Sequence, residues 1–118
     1  MNIHLLKGKI HRATVTDSSL DYEGSLGIDL RFMSLSGILP NERILVGNIT
    51  NGNRFETYAI PAPEGSGTIC LNGAAARLGS VGDRLVIMAF CEVPEEMARQ
   101  WKPKFVTLSD NNSKFSVR

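Results

Sequence analysis

Gly37-Ile38-Leu39-Pro40-Asn41-Glu42-Arg43-Ile44-Leu45-Val46 is echoed later in the chain by Gly79-Ser80-Val81-Gly82-Asp83-Arg84-Leu85-Val86-Ile87, one residue shorter in its turn. Each segment follows a predicted short helix and leads into an apolar strand. Read structurally, the chain is two similar strand–helix–turn–strand halves folded about a pseudo-twofold axis. Such halves close one small barrel and leave few exposed sheet edges. A match this short also arises by chance.

Outward from these segments the pattern is mainly β. Strand-like runs lie near residues 3–16, 21–27, 43–50, 54–60, 68–72, 83–93 and 104–108. The run Leu85–Cys91 is apolar at every position, which suits a strand buried on both faces or covered by another subunit. Three short helices are predicted. Asp29 caps one over Leu30–Ser36, with Gly37 as its stop. Asn72 caps a second over Gly73–Leu78, ended by Gly79. Pro94 opens a third, with Glu95 and Glu96 in its first turn and Pro103 at its end. The tail Ser109–Arg118 is polar and expected to be mobile.

The 118 residues suffice for one domain and not for two. With 13 Lys and Arg against 12 Asp and Glu, the net charge of +1 gives no basic surface for nucleic acid or an anionic membrane. No stretch of apolar residues is long enough for a transmembrane helix, and the N-terminus reads as mature sequence without a signal peptide. Cys70 and Cys91 lie in apolar runs without CxxC spacing, so both are read as buried free thiols of a cytoplasmic protein. No ligand-spaced cluster of His, Cys, Asp and Glu suggests a metal.

Four stretches hold residues suited to chemistry. In Tyr22-Glu23-Gly24-Ser25, a Gly-Ser pair alone is a turn. Gly24 has no Cβ, however, so its carbonyl can be exposed to the adjacent Ser25 hydroxyl. Attack there shifts the acyl group from nitrogen to oxygen. The serine ester can then eliminate to dehydroalanine, which hydrolyses to a pyruvoyl group. In Asn51-Gly52-Asn53-Arg54-Phe55-Glu56-Thr57-Tyr58-Ala59-Ile60, Asn-Gly marks a hairpin. Arg54, Glu56 and Tyr58 then share one strand face, and Phe55, Thr57 and Ala59 the other. Arg54 suits a carboxylate and Tyr58 a proton transfer, while the plainer reading is a solvated strand. Asn72-Gly73-Ala74-Ala75-Ala76 opens a helix with bare backbone able to hold an anion, or simply packs closely. Lys7, Lys9 and His11 line one face of a basic strand, which either attracts a dicarboxylate or protects a sheet edge.

In order and spacing these pieces resemble the bacterial pyruvoyl-dependent aspartate 1-decarboxylase family. The matching stretches are Lys9-Ile10-His11-Arg12, Tyr22-Glu23-Gly24-Ser25, Thr50-Asn51-Gly52, Arg54-Phe55, Thr57-Tyr58-Ala59-Ile60, Asn72-Gly73-Ala74-Ala75-Ala76, Val81-Gly82-Asp83 and Trp101-Lys102-Pro103. The resemblance implies a double-psi β-barrel with short helices, a homotetramer with active sites at subunit contacts, and cleavage into a β chain 1–24 and an α chain 25–118. It implies that L-aspartate is decarboxylated to β-alanine through a Schiff base with the pyruvoyl group made from Ser25, without metal or pyridoxal phosphate. By position, Ser25 becomes the pyruvoyl group, Tyr58 matches the proton donor, and Thr57 matches a residue tied to processing and substrate binding. Arg54 and Lys9 match carboxylate anchors. Gly73, Ala74 and Ala75 match the backbone beside the substrate, and Asn72 and His11 line the same site. Two departures stand out: Leu26 where many relatives have Cys, and Gly47 where a larger residue, often Trp, is expected.

Overall fold

The two echoing segments fold as the same turn. In the first, Glu42 N donates to Leu39 O at 3.1 Å and the Glu42 carboxylate accepts from Leu39 N at 2.8 Å. In the second, Asp83 N donates to Ser80 O at 3.0 Å and the Asp83 carboxylate accepts from Ser80 N at 2.9 Å. Asn41 and Gly82 hold the matching positive-φ positions, at 69° and 96°. Each turn then exchanges two backbone hydrogen bonds with a crossing strand, the first with Ala59 and the second with Val15. The repeat is therefore structural, and the acidic residue in each copy is there to close its turn.

The computed structural model describes all residues Met1–Arg118. Its elements are β1 Asn2–Thr14, β2 Asp17–Ser19, β3 Ser25–Asp29, α1 Leu30–Ser36, β4 Arg43–Asn48, β5 Arg54–Ala62, β6 Ile69–Asn72, a 3₁₀ turn Gly73–Arg77, β7 Arg84–Pro94, α2 Glu95–Ala98, β8 Lys104–Ser109 and β9 Lys114–Val117. The hydrogen-bonded order is β2-β6-β3-β5-β4-β7-β1-β8-β9. Since β2 continues β1 through Val15 and Thr16, pairing β1 with β7 and β2 with β6 closes the ring. Thr16 seals the join: its N–H donates to Ile69 O and its hydroxyl accepts from Ile69 N, both at 2.9 Å. Pseudo-symmetry relates β1/β2–β3–α1–β4 to β5–β6–3₁₀–β7. Thus β3 runs parallel to β5 as β6 runs parallel to β2, while β3 pairs with β6 and β4 with β7 antiparallel. This is the double-psi barrel that the resemblance implies.

Period-two patterning fills the barrel. Leu85, Ile87 and Ala89 of β7 point in and are fully buried, as are Ile10, Leu26, Ile28, Ile44, Val46, Ile69 and Leu71. Val86, Met88 and Phe90 point out, so β7 is covered on one face within this chain.

Four expectations need correction. The strand foreseen over 21–27 begins only at Ser25, because Leu20–Gly24 forms an exposed turn. The helix after Asn72 is a single 3₁₀ turn that stops at Arg77, and the helix after Pro94 spans only Glu95–Ala98. The tail foreseen as mobile turns back at Asp110–Asn112, all three at positive φ, and pairs as β9 with β8. Asn112 anchors it, donating to Thr14 O and Gly67 O and accepting from Thr14 N.

Candidate active site

Ser25 lies at the boundary between an exposed turn and a buried strand. Tyr22, Glu23 and Gly24 are exposed, whereas Ser25 is 0% exposed and begins an unbroken buried run through Asp29. Ser25 Oγ donates to Glu23 O at 3.3 Å and accepts from Asn72 Nδ2 at 3.1 Å. The hydroxyl is therefore held from both sides, on the residue that follows the Gly24 carbonyl in the chain.

Pseudo-symmetry shows how Asn72 comes to serve this purpose. Asp29 ends β3 just before α1, and Asn72 ends β6 just before the 3₁₀ turn. Asp29 uses both carboxylate oxygens on backbone, accepting from Arg31 N, Gly65 N and Gly67 N at 2.8, 3.1 and 2.8 Å. The Arg31 contact is the N-cap that the sequence predicts, and the other two hold the loop before β6. Asn72 was expected to cap in the same way, but its side chain makes no capping bond. It turns across the antiparallel Ser25–Asn72 pair to the serine instead.

Gly73 is the next constraint. At φ +62°, a Cβ here would sit 2.7 Å from Gly24 Cα and N and 2.8 Å from Tyr22 O. Only glycine lets the start of the 3₁₀ turn lie against the backbone at the Gly24–Ser25 bond. Ala74 follows exposed and Ala75 buried.

Tyr58 belongs to the same region. Leu26 pairs with Ala59 in parallel register, so Ser25 and Tyr58 stand level on adjacent strands, one residue earlier. Tyr58 is half-buried, and Thr57, paired with Ile44, occupies the opposite face of β5. Gly24, Ser25, Asn72, Gly73 and Tyr58 thus gather around one end of β3, with Ala74 and Ala75 next in the 3₁₀ turn and Thr57 on the other face of β5.

The predicted cations do not join them within the chain. Arg54, Gly47, Val86, His11 and Thr107 are successive partners across β5, β4, β7, β1 and β8, and Glu56, Leu45, Met88, Lys9 and Phe105 form the next row. This is an outward face of the barrel. Arg54 is four residues along β5 from Tyr58, roughly 13 Å at strand rise. Lys9 and His11 share a pocket with Phe105, Thr107, Ser116 and Arg118. Lys7, grouped with them in the sequence, instead pairs with Glu42 at 2.9 Å. Burial holds the His11 pKa below the usual 6.5, helped by Lys9 and Arg12, and His11 Nδ1 is buried without a partner. Burial and the neighbouring cations thus both favour the neutral ring. Gly47 and Arg54 line an open pocket; a Cβ at Gly47 would stand 3.0 Å from Val86 Cγ1. Leu26, the other departure, is fully buried between Ala59 and Leu71.

The sequence reads Cys70 and Cys91 as buried free thiols, but both are only half-buried, and Cys70 faces Asn72. Its Sγ lies 3.1 Å from Asn72 Oδ1. The signal was available: Cys70 and Asn72 are two apart on a strand and share a face.

The aspartate decarboxylase family model matches residues 1–115. The chain belongs to the aspartate decarboxylase family. An aspartate 1-decarboxylase of Carboxydothermus hydrogenoformans is 51% identical over 118 residues, covering 100% of this chain and 93% of that one. One from Caldicellulosiruptor saccharolyticus is 56% identical over 112 residues, covering 95% and 88%. One from Campylobacter jejuni is 53% identical over 113 residues, covering 96% and 89%. Family membership accounts for the barrel. No helix of the chain is long and apolar enough to cross a membrane.

Proposed function

We propose that this chain cuts itself between Gly24 and Ser25, converts Ser25 to a pyruvoyl group, and decarboxylates L-aspartate to β-alanine in the cytoplasm, for pantothenate and coenzyme A synthesis. The observation that carries this reading is the fully buried Ser25 hydroxyl, held by Asn72 Nδ2 and Glu23 O just after an exposed glycine. Holding the nucleophile against its own carbonyl makes the first step intramolecular, an advantage of about 7–11 kcal/mol when geometry is ideal. The Oγ–C bond forms, the C–N bond breaks, and the hydroxyl proton ends on the amine. Loss of the Ser25 Cα proton then expels Gly24 as a carboxylate, and water replaces ammonia at the resulting double bond.

The residues present fit a pyruvoyl group at position 25. Leu26, locked in the core, keeps the new chain end in place after cleavage, and Asn72 with the Gly73–Ala75 backbone would hold the group and the substrate beside it. The group supplies an electron-withdrawing ketone that takes up the substrate amine and the electron pair released with CO2. Tyr58, level with position 25, then delivers a proton from its hydroxyl. Thr57 on the neighbouring strand serves processing and substrate contact.

Arg54 and Lys9 anchor the substrate carboxylates, with neutral His11 alongside. Because they lie on an outward face of the same chain, we propose that a neighbouring copy supplies them, in a homotetramer with sites at subunit contacts. Phe90, 46% exposed on that face beside Met88 and Leu45, is apolar surface suited to such a contact.

Intact-mass spectrometry of incubated, purified protein tests the proposal. Two chains, 1–24 and 25–118, are expected, with the second blocked at its N-terminus and releasing CO2 from aspartate. Ser25→Ala should remain one chain. A wild-type protein that stays whole and releases no CO2 would overturn the reading.

A further inference from the structure

Asn72 presents a choice that its own shape does not settle. Its amide has nearly equivalent arms, one a donor and one an acceptor. Turned one way, Nδ2 donates to Ser25 Oγ; turned the other, Oδ1 faces the same oxygen. The two orientations are opposite in chemical effect. In the elimination step the Cβ–Oγ bond breaks, and Oγ becomes one oxygen of the departing Gly24 carboxylate. A donor at that oxygen stabilises the charge as it develops, whereas an amide oxygen would oppose it.

A second contact selects between them. Cys70 Sγ stands 3.1 Å from Asn72 Oδ1, in a line running Cys70–Asn72–Ser25. A thiol is a weak donor and a weaker acceptor, so it favours the amide oxygen on its side and leaves Nδ2 for Ser25. The thiol keeps its proton, because burial raises its pKa and Asp17 raises it further. The room for this line comes from Gly27, which pairs with Cys70. A Cβ at Gly27 would stand 3.3 Å from Cys70 Cβ and 3.8 Å from Asn72 Nδ2.

We propose that Cys70 is a positioning residue for self-cleavage, which sets the Asn72 amide so that its N–H meets the oxygen leaving Ser25. The inference rests on the self-cleavage reading above. It assigns Cys70 no contact with the substrate and no covalent role.

The test follows uncut chain over time in freshly purified precursor, for wild type, Cys70→Ala, Cys70→Ser and each combined with Asn72→Ala. Cys70→Ala removes one hydrogen bond, so cleavage should slow about tenfold. The serine ester should accumulate, detected as material that hydroxylamine splits between residues 24 and 25. Cys70→Ser keeps a donor and should restore most of the rate. In the Asn72→Ala background neither change at position 70 should matter. The proposal is overturned by a Cys70→Ala protein that cleaves at the wild-type rate, or by one that slows equally with and without Asn72. Should alanine loosen the barrel, a folded serine variant with wild-type melting and cleavage slowed tenfold or more overturns it equally. If wild type itself never cleaves, the Ser25 reading has failed; if wild type cleaves and Cys70→Ala matches it, only the role of Cys70 has failed.

Discussion

Replacing Gly73 with alanine asks how closely self-cleavage depends on the position of Gly24. Two costs follow from the geometry. The left-handed φ of +62° penalises any residue with a Cβ by about 1–2 kcal/mol. The new methyl would also meet Gly24 Cα and N at 2.7 Å and Tyr22 O at 2.8 Å, all of them backbone, so no side chain can swing aside. Restoring ordinary contact moves the turn by roughly 0.7 Å, and displacement on that scale costs an oriented reaction on the order of 100-fold. Gly73→Ala is therefore expected to melt several degrees lower and to cleave about 100-fold more slowly. Gly52→Ala is the control: its φ of +83° carries a comparable backbone penalty, but nothing lies within 4 Å. It should lose stability and cleave normally. The assay is the uncut fraction by intact mass in freshly purified precursor. A folded Gly73→Ala protein that cleaves at the Gly52→Ala rate would refute the claim that Gly73 holds the Gly24–Ser25 bond in place.

Four other outcomes are expected. Arg54→Ala should leave cleavage intact and raise KM for aspartate roughly 10–100-fold, the worth of a charged hydrogen bond; unchanged steady-state kinetics would remove Arg54 from the site. Tyr58→Phe should cleave and then form β-alanine slowly, and full activity would exclude it as proton donor. His11 should titrate below 6.5 by NMR, and Lys9→Gln should move its midpoint part of the way up, since burial is the larger cause. Because the folded state binds this proton less readily, His11 favours folding above pH 6.5, and that contribution is lost as pH falls through its lowered pKa. Asn72→Asp should fold normally, with its carboxylate free to cap the 3₁₀ turn, yet leave the precursor uncut; rapid cleavage would mean that no donor is needed at Ser25 Oγ.

Much of the fold was legible because local chemistry and global topology agree. The repeat could be read from Gly37–Val46 and Gly79–Ile87 since Glu42 and Asp83 each close a turn with their own neighbours, an interaction written in a few consecutive residues. The tail was misread for the opposite reason. Asn112 is buried by contacts with Thr14 and Gly67, far away in sequence, and a polar string gives no hint of them. The site divided in the same way. Gly24, Ser25, Asn72 and Gly73 meet through one strand pair and are brought together as expected. Lys9, His11 and Arg54 were placed in that site by resemblance; within one chain they stand in neighbouring rows of an outward face, Arg54 four residues along β5 from Tyr58. Cys70 was missed because a cysteine in an apolar run reads as packing, and its alignment with Asn72 matters only once Ser25 is seen opposite.

The pseudo-twofold axis offers a physical account of how a structural position acquired chemistry. In a symmetric barrel the residues ending β3 and β6 have the same task, to satisfy the first backbone N–H groups of the helix that follows. Asp29 does so through Arg31 N, ties the loop before β6 to the same carboxylate through Gly65 N and Gly67 N, and is almost fully buried. The segment after Asn72 is only a 3₁₀ turn, and Asn72 makes no capping bond to it. The amide is released from capping in one half while the other half keeps its carboxylate cap. What lies across from Asn72 is the first residue of β3, fully buried and following an exposed glycine. A carboxylate released in the same way would have brought negative charge to Ser25 and no donor. Aspartate in one half and asparagine in the other thus separates the two jobs, one holding the fold and one donating to the Ser25 hydroxyl.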